Sequence, residues 1–91
     1  MPYRIVFTER YTRIAKRFVQ RHPDLARAYV KTLTLLELNP HHPSLRLHAL
    51  VGRLAGVHSV AINLSYRITL QLLITEQEIV PLDVGDHDAV Y

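Results

Sequence analysis

The apolar residues of this chain change their spacing at Asn39–Pro40, and that change constrains the fold to helices followed by a sheet. Before it, Tyr11, Ile14, Ala15, Phe18 and Val19 fall at i, i+3, i+4, i+7 and i+8. They form one stripe on a helical cylinder, with Arg10, Arg13, Lys16, Arg17 and Arg21 elsewhere around it. Leu25, Tyr29, Leu33 and Leu36, with Ala26 and Val30 beside them, predict the inner face of a second helix. Thr8 is placed to cap the first helix, and Glu9 to meet its dipole. Pro23 starts the second helix and Asn39–Pro40 ends it. The short link between them implies a hairpin packed by its two stripes.

Beyond Pro40 the period drops to two. His41 to Leu50 reads as a connector that turns extended, with Leu45, Leu47 and Ala49 alternating with Arg46 and His48. Gly52 and Gly56 bracket a turn with Arg53 on it. Strands are expected at Val57–Asn63, Tyr66–Ile74 and Glu78–Val84, joined by tight turns at Leu64–Ser65 and Thr75–Gln77. A further strand, Tyr3–Phe7, precedes the helices. The expected fold is α+β: an N-terminal strand, a two-helix hairpin, then a three- to four-stranded antiparallel sheet, with the helices on one face.

All 91 residues fit one domain, and an apolar share of 48% is enough for a packed core. The absence of cysteine excludes disulfides and thiolate metal sites. No apolar run has the length of a membrane span and no signal-peptide core is present, so the expected compartment is the cytoplasm, with no membrane partner. The net charge of +3 is unevenly spread. Residues 1–53 carry ten of the eleven Lys and Arg against three acids, a balance of +7; residues 54–91 carry one against five, a balance of −4. Nine of the eleven are Arg, which favours forked contacts to phosphate or carboxylate. A solvated helical surface accounts for this equally well. A basic face for phosphates or an acidic protein is the functional alternative.

Six histidines are present. His41 and His42 are adjacent in a proline-flanked loop with no carboxylate at ligand spacing, so no metal site is expected. His22, before Pro23, reads as a capping or surface residue. His48, His58, Arg67, His87 and Tyr91 differ, because all lie in the sheet half, where neighbouring strands bring distant residues together. Taken singly, His58 pairing across strands and Arg67 bridging to Asp83 would be ordinary structural roles.

Taken jointly, GRLAGVHSVAINLSYRI (52–68) and VGDHDAVY (84–91) resemble the RelE/ParE superfamily of bacterial type II toxins, most nearly its RelE/YafQ-like mRNA interferases. The shared pattern is a small-residue turn, a strand, a YRI-type strand with a functional Arg, and a Gly-x-His-x-x-x-aromatic ending. Arg67, His87 and Tyr91 match it, and His48 matches a histidine before the turn in the YafQ-like branch. Asp83 stands where such members often carry Arg, and His58 where an aromatic is frequent.

The resemblance covers essentially the whole chain and implies a RelE-like microbial RNase fold. It implies a catalytic set of His48, Arg67, His87 and Tyr91, and substrate contacts from Arg46, Arg53, His58 and Tyr66. It further implies a metal- and cofactor-independent endoribonuclease acting on mRNA at the ribosome, and an antitoxin partner, acidic and folding as it binds. The chemistry is coherent without the family. Ribose 2′-oxygen attack on the adjacent phosphate needs a base, an acid and a cation, and histidine titrates near neutrality. Arg67 would stabilise the charge building on phosphorus, and Tyr91 would stack on a base or meet the phosphate. Two other readings share the fold: a ParE-like toxin that binds DNA gyrase without nuclease activity, and a partner-binding domain without toxicity.

Overall fold

The structure is a computed structural model and describes residues 2–50 and 56–86. Its elements run β1 (Arg4–Ile5), α1 (Glu9–Arg21), a 3₁₀ turn (Pro23–Leu25), α2 (Ala26–Leu38), a second 3₁₀ turn (Pro43–Leu45), β2 (His48–Ala49), β3 (Val57–Ala61), β4 (Tyr66–Leu73) and β5 (Glu78–Asp86). Thr8 caps α1 as expected, its hydroxyl accepting from Tyr11 N at 3.1 Å, and Glu9 occupies the first turn. At the other end His22 N donates to Phe18 O before Pro23 breaks the ladder. The second helix begins later than its sequence implies. Pro23 opens a 3₁₀ turn, and α-helical bonding starts at Ala26.

Tyr11 and Phe18 of α1 pack against Tyr29 and Leu36 of α2 and against Val60, Ile68, Leu70, Leu72, Ile79 and Val84 of the sheet. The buried stripe of α2 runs Tyr29–Thr32–Leu36; Leu33 is only half-buried and Val30 is 59% exposed. Thr32 is tolerated there because its hydroxyl donates to Ala28 O at 2.8 Å, so no polar group is left unmet. Between the helices Tyr11 and Tyr29 share a hydroxyl–hydroxyl hydrogen bond of 2.7 Å. Burial, reinforced by the neighbouring Tyr29, pushes the Tyr11 phenol far above its usual range. Burial raises Tyr29 too, against a lowering by the bond from Tyr11.

The sheet has five strands in the order β1-β5-β4-β3-β2. It is mixed, not wholly antiparallel: β1 runs parallel to β5, with Arg4 opposite Glu78 and Ile5 opposite Ile79. The long connection such a pairing requires is made by the helical hairpin together with β2, β3 and β4. The β4–β5 ladder shifts register at Thr69/Leu70, where Leu70 faces Pro81 and Thr69 faces Asp83, leaving Leu82 as the extra residue. Pro81 cannot donate to a ladder, and the bulge accommodates it. Arg10 of α1 donates to the carbonyl of Leu82 at 3.1 Å. The β3–β4 turn is built by Asn63, whose Oδ1 accepts from Ser65 N and Tyr66 N, both at 2.8 Å. That is why β3 ends at Ala61 and not at Asn63. Gly56, at φ +81°, and Gln77, at φ 54°, hold the left-handed conformations that open β3 and turn β4 into β5.

Candidate active site

Strand alternation decides which polar residues meet. Ile68, Leu70 and Leu72 of β4 belong to the helix-facing core, so Arg67 and Thr69 project from the opposite face. Across that face one row is continuous over four strands: His48 of β2 pairs with Ser59 of β3, Ser59 with Thr69 of β4, and Thr69 with Asp83 of β5. The adjacent row is Ala61, Arg67 and Gly85. Flanked by two of the smallest side chains, the arginine has room to lie along the sheet.

Arg67 is 8% exposed and firmly held. Its Nε donates to Ser59 Oγ. Its Nη2 lies 3.0 Å from Arg46 O, 3.4 Å from Ser59 O and 3.4 Å from His48 Nδ1. Arginine has donors only, so Nδ1 is the acceptor in the last contact, and the proton of a neutral His48 ring sits on Nε2. Arg46 follows the Pro43–Leu45 turn in a left-handed conformation, φ 49°, which brings its carbonyl to the guanidinium. Its side chain is exposed and lines, with Arg67, Ser44, Asn63 and Leu64, a groove of about 450 Å³. Asp83 Oδ1 accepts from Val84 N at 2.8 Å.

In this geometry the molecule matches several solved structures along its length. The Escherichia coli DinJ–YafQ toxin–antitoxin complex matches at a TM-score of 0.79 and 19% identity, covering 100% of this chain and 99% of the other. A metal-bound toxin from Helicobacter pylori matches at 0.76 and 20%, covering 100% of both chains. The Staphylococcus aureus YoeB dimer matches at 0.73 and 18%, covering 96% of this chain and 99% of the other. The fold is that of the YafQ and YoeB toxins. No family model and no curated protein sequence matches the chain.

Within this YafQ-like fold, the residues singled out in the sequence separate into three groups. His48, Arg67 and Arg46 come together, the last through its backbone carbonyl. His58 and Tyr66 do not join them. His58 pairs with Ala49 and Leu70, on the helix-facing side, and bonds Gly56 O through Nδ1 at 3.1 Å. Tyr66 packs its ring against Phe18 and His22, at 5.5 and 4.8 Å between centroids. Arg53, His87 and Tyr91 lie outside the described residues.

Ser59, wholly buried, was not anticipated, although a polar residue beside Val60 in an apolar strand is a visible signal. Thr69 was missed as well; among the described residues its buried hydroxyl has no hydrogen-bond partner. His42 serves the fold, its Nδ1 meeting Ser44 N at 3.2 Å and Ser44 Oγ at 2.8 Å. Among the described residues no group of three His, Asp or Glu is placed to hold a metal ion.

Proposed function

We propose that the protein is the toxin of a type II toxin–antitoxin pair and a metal-independent endoribonuclease that cuts mRNA at the ribosome. The observation that carries this reading is the contact between Arg67 and His48 Nδ1 on the sheet face, in a fold shared with YafQ and YoeB. A phosphate entering the groove competes for the Arg67 guanidinium, whose described contacts are a hydroxyl, two carbonyls and an imidazole. As Arg67 turns to the phosphate, His48 Nδ1 is released with its lone pair. It then takes the proton of the ribose 2′-hydroxyl.

The 2′-oxygen attacks phosphorus and the bond to the 5′-oxygen breaks. A proton supplied by His87 goes to that leaving oxygen, giving a 2′,3′-cyclic phosphate and a free 5′-hydroxyl. Arg67 stabilises the extra charge on the equatorial oxygens. The antitoxin would be an acidic segment drawn to the basic half of the chain.

The test is cleavage of a reporter mRNA in a translating extract. His48→Gln, Arg67→Ala and His87→Gln should each lower the rate by at least ~10²-fold, with the fold intact by circular dichroism. The cleaved 5′ fragment should end in a cyclic phosphate. Wild-type protein that leaves mRNA uncut but inhibits DNA gyrase would replace this reading with a ParE-like one.

A further inference from the structure

The end of the sheet where β4 begins carries a second groove, also about 450 Å³, on the helix side. Arg17, Arg21 and His22 form its α1 wall, and Tyr66, Val84 and Asp86 its sheet wall. Tyr66 and Arg67 are consecutive, and alternation sends them to opposite faces. The two grooves therefore lie on either side of one turn, the short link that Asn63 closes. Tyr66 and His22 are half-buried rings, 4.8 Å apart between centroids and both seated on the buried Phe18. Arg17 and Arg21 are exposed, and among the described residues neither forms a hydrogen bond or ion pair.

We propose that this groove is a second nucleotide subsite, which binds single-stranded RNA continuing round the β3–β4 turn from the phosphate held at Arg67. The inference rests on the ribonuclease reading above. A platform of supported aromatic rings takes a base, provided the base is unstacked from its neighbours, which selects single strands over duplex. Two arginines within one helical turn take the phosphate.

A carboxylate fixes the orientation. A phosphate is repelled from the sheet wall by Asp86 and lies along α1. The base edge then turns to the sheet wall, where a carboxylate accepts a hydrogen bond from an amino group. The subsite positions RNA and takes no part in bond breaking.

The experiment is fluorescence anisotropy of a short fluorescein-labelled 2′-O-methyl RNA, which binds but cannot be cut, titrated with the full chain. Arg17→Ser/Arg21→Ser should weaken binding and lower the slope of log affinity against log salt by about 1.4, two phosphate contacts' worth for a single strand. Tyr66→Leu should weaken it at least about fivefold. Because Tyr66 also packs on Phe18, its thermal midpoint is measured alongside. The arginine pair, on the surface, decides the matter if Tyr66→Leu unfolds. Wild-type affinity and salt slope in the arginine double variant would overturn the subsite and leave the ribonuclease reading standing. Absence of RNA binding by the wild type would overturn the subsite, while the ribonuclease reading stands or falls on cleavage in the translating extract.

Discussion

Two hydroxyls on adjacent strands show how differently the same chemical group can serve a sheet. Ser59 is fully buried and accepts from Arg67 Nε; Thr69, paired with it across the ladder, is also buried and among the described residues has no partner for its Oγ1. Removing Ser59's oxygen leaves a buried charged donor unmet, so Ser59→Ala should cost about 1–3 kcal/mol in denaturant unfolding and lower mRNA cleavage. Thr69→Val has the opposite sign. It removes an unmet group at constant shape and should leave stability unchanged or raise it by about 1 kcal/mol. If the Thr69 hydroxyl instead meets the RNA, cleavage should fall in that variant while stability rises. The two readouts together separate an orphaned group from a working one. Arg46 adds a further lesson at this scale: an arginine chosen for its side chain contributes its carbonyl.

The helical hairpin is held by a pair of buried phenols, and this gives it a defined alkaline limit. The folded-state pKa of Tyr11 is raised above the ordinary value of 10.0, so the folded chain keeps a proton that the unfolded chain gives up. Its contribution is therefore fully present below about pH 10 and is lost as pH rises above that. Stability should fall there by up to ~1.4 kcal/mol per pH unit for each such tyrosine. Tyr11→Phe should flatten that decline, as read from urea midpoints across the alkaline range.

Both helices, the three long strands and the capping residue Thr8 were legible in periodicity and turn chemistry. The misreadings came where local chemistry overrode pattern. Thr32 took the buried place expected of Leu33 because its hydroxyl satisfies itself on its own helix. The parallel pairing of β1 was invisible, since two residues carry no signal of direction. Of the catalytic set expected from the sequence, His48 and Arg67 come together, whereas strand parity puts His58 and Tyr66, expected as substrate contacts, on the other face.

Across the whole molecule the charge asymmetry acquires a geometry: the arginines of α1 lie over one side of the sheet, and β5, where three of the five late acids reside, runs beneath that helix. Binding of polyanions should thus fall steeply with salt, and Arg13→Ser together with Lys16→Ser should shallow that dependence in a filter-binding assay without moving the melting point. The bulge in β5 has a different consequence, for solubility. A nine-residue strand next to the sheet margin is a template on which another chain can build fibrils. Here β1 covers Glu78 and Ile79, Pro81 offers no amide hydrogen, and Arg10 occupies the carbonyl of the bulged Leu82. Three unrelated devices thus blunt one margin. A chain shortened by its first seven residues and carrying Arg10→Ala should lose two of them, and should shed soluble monomer into thioflavin-positive aggregate under conditions where the parent stays clear.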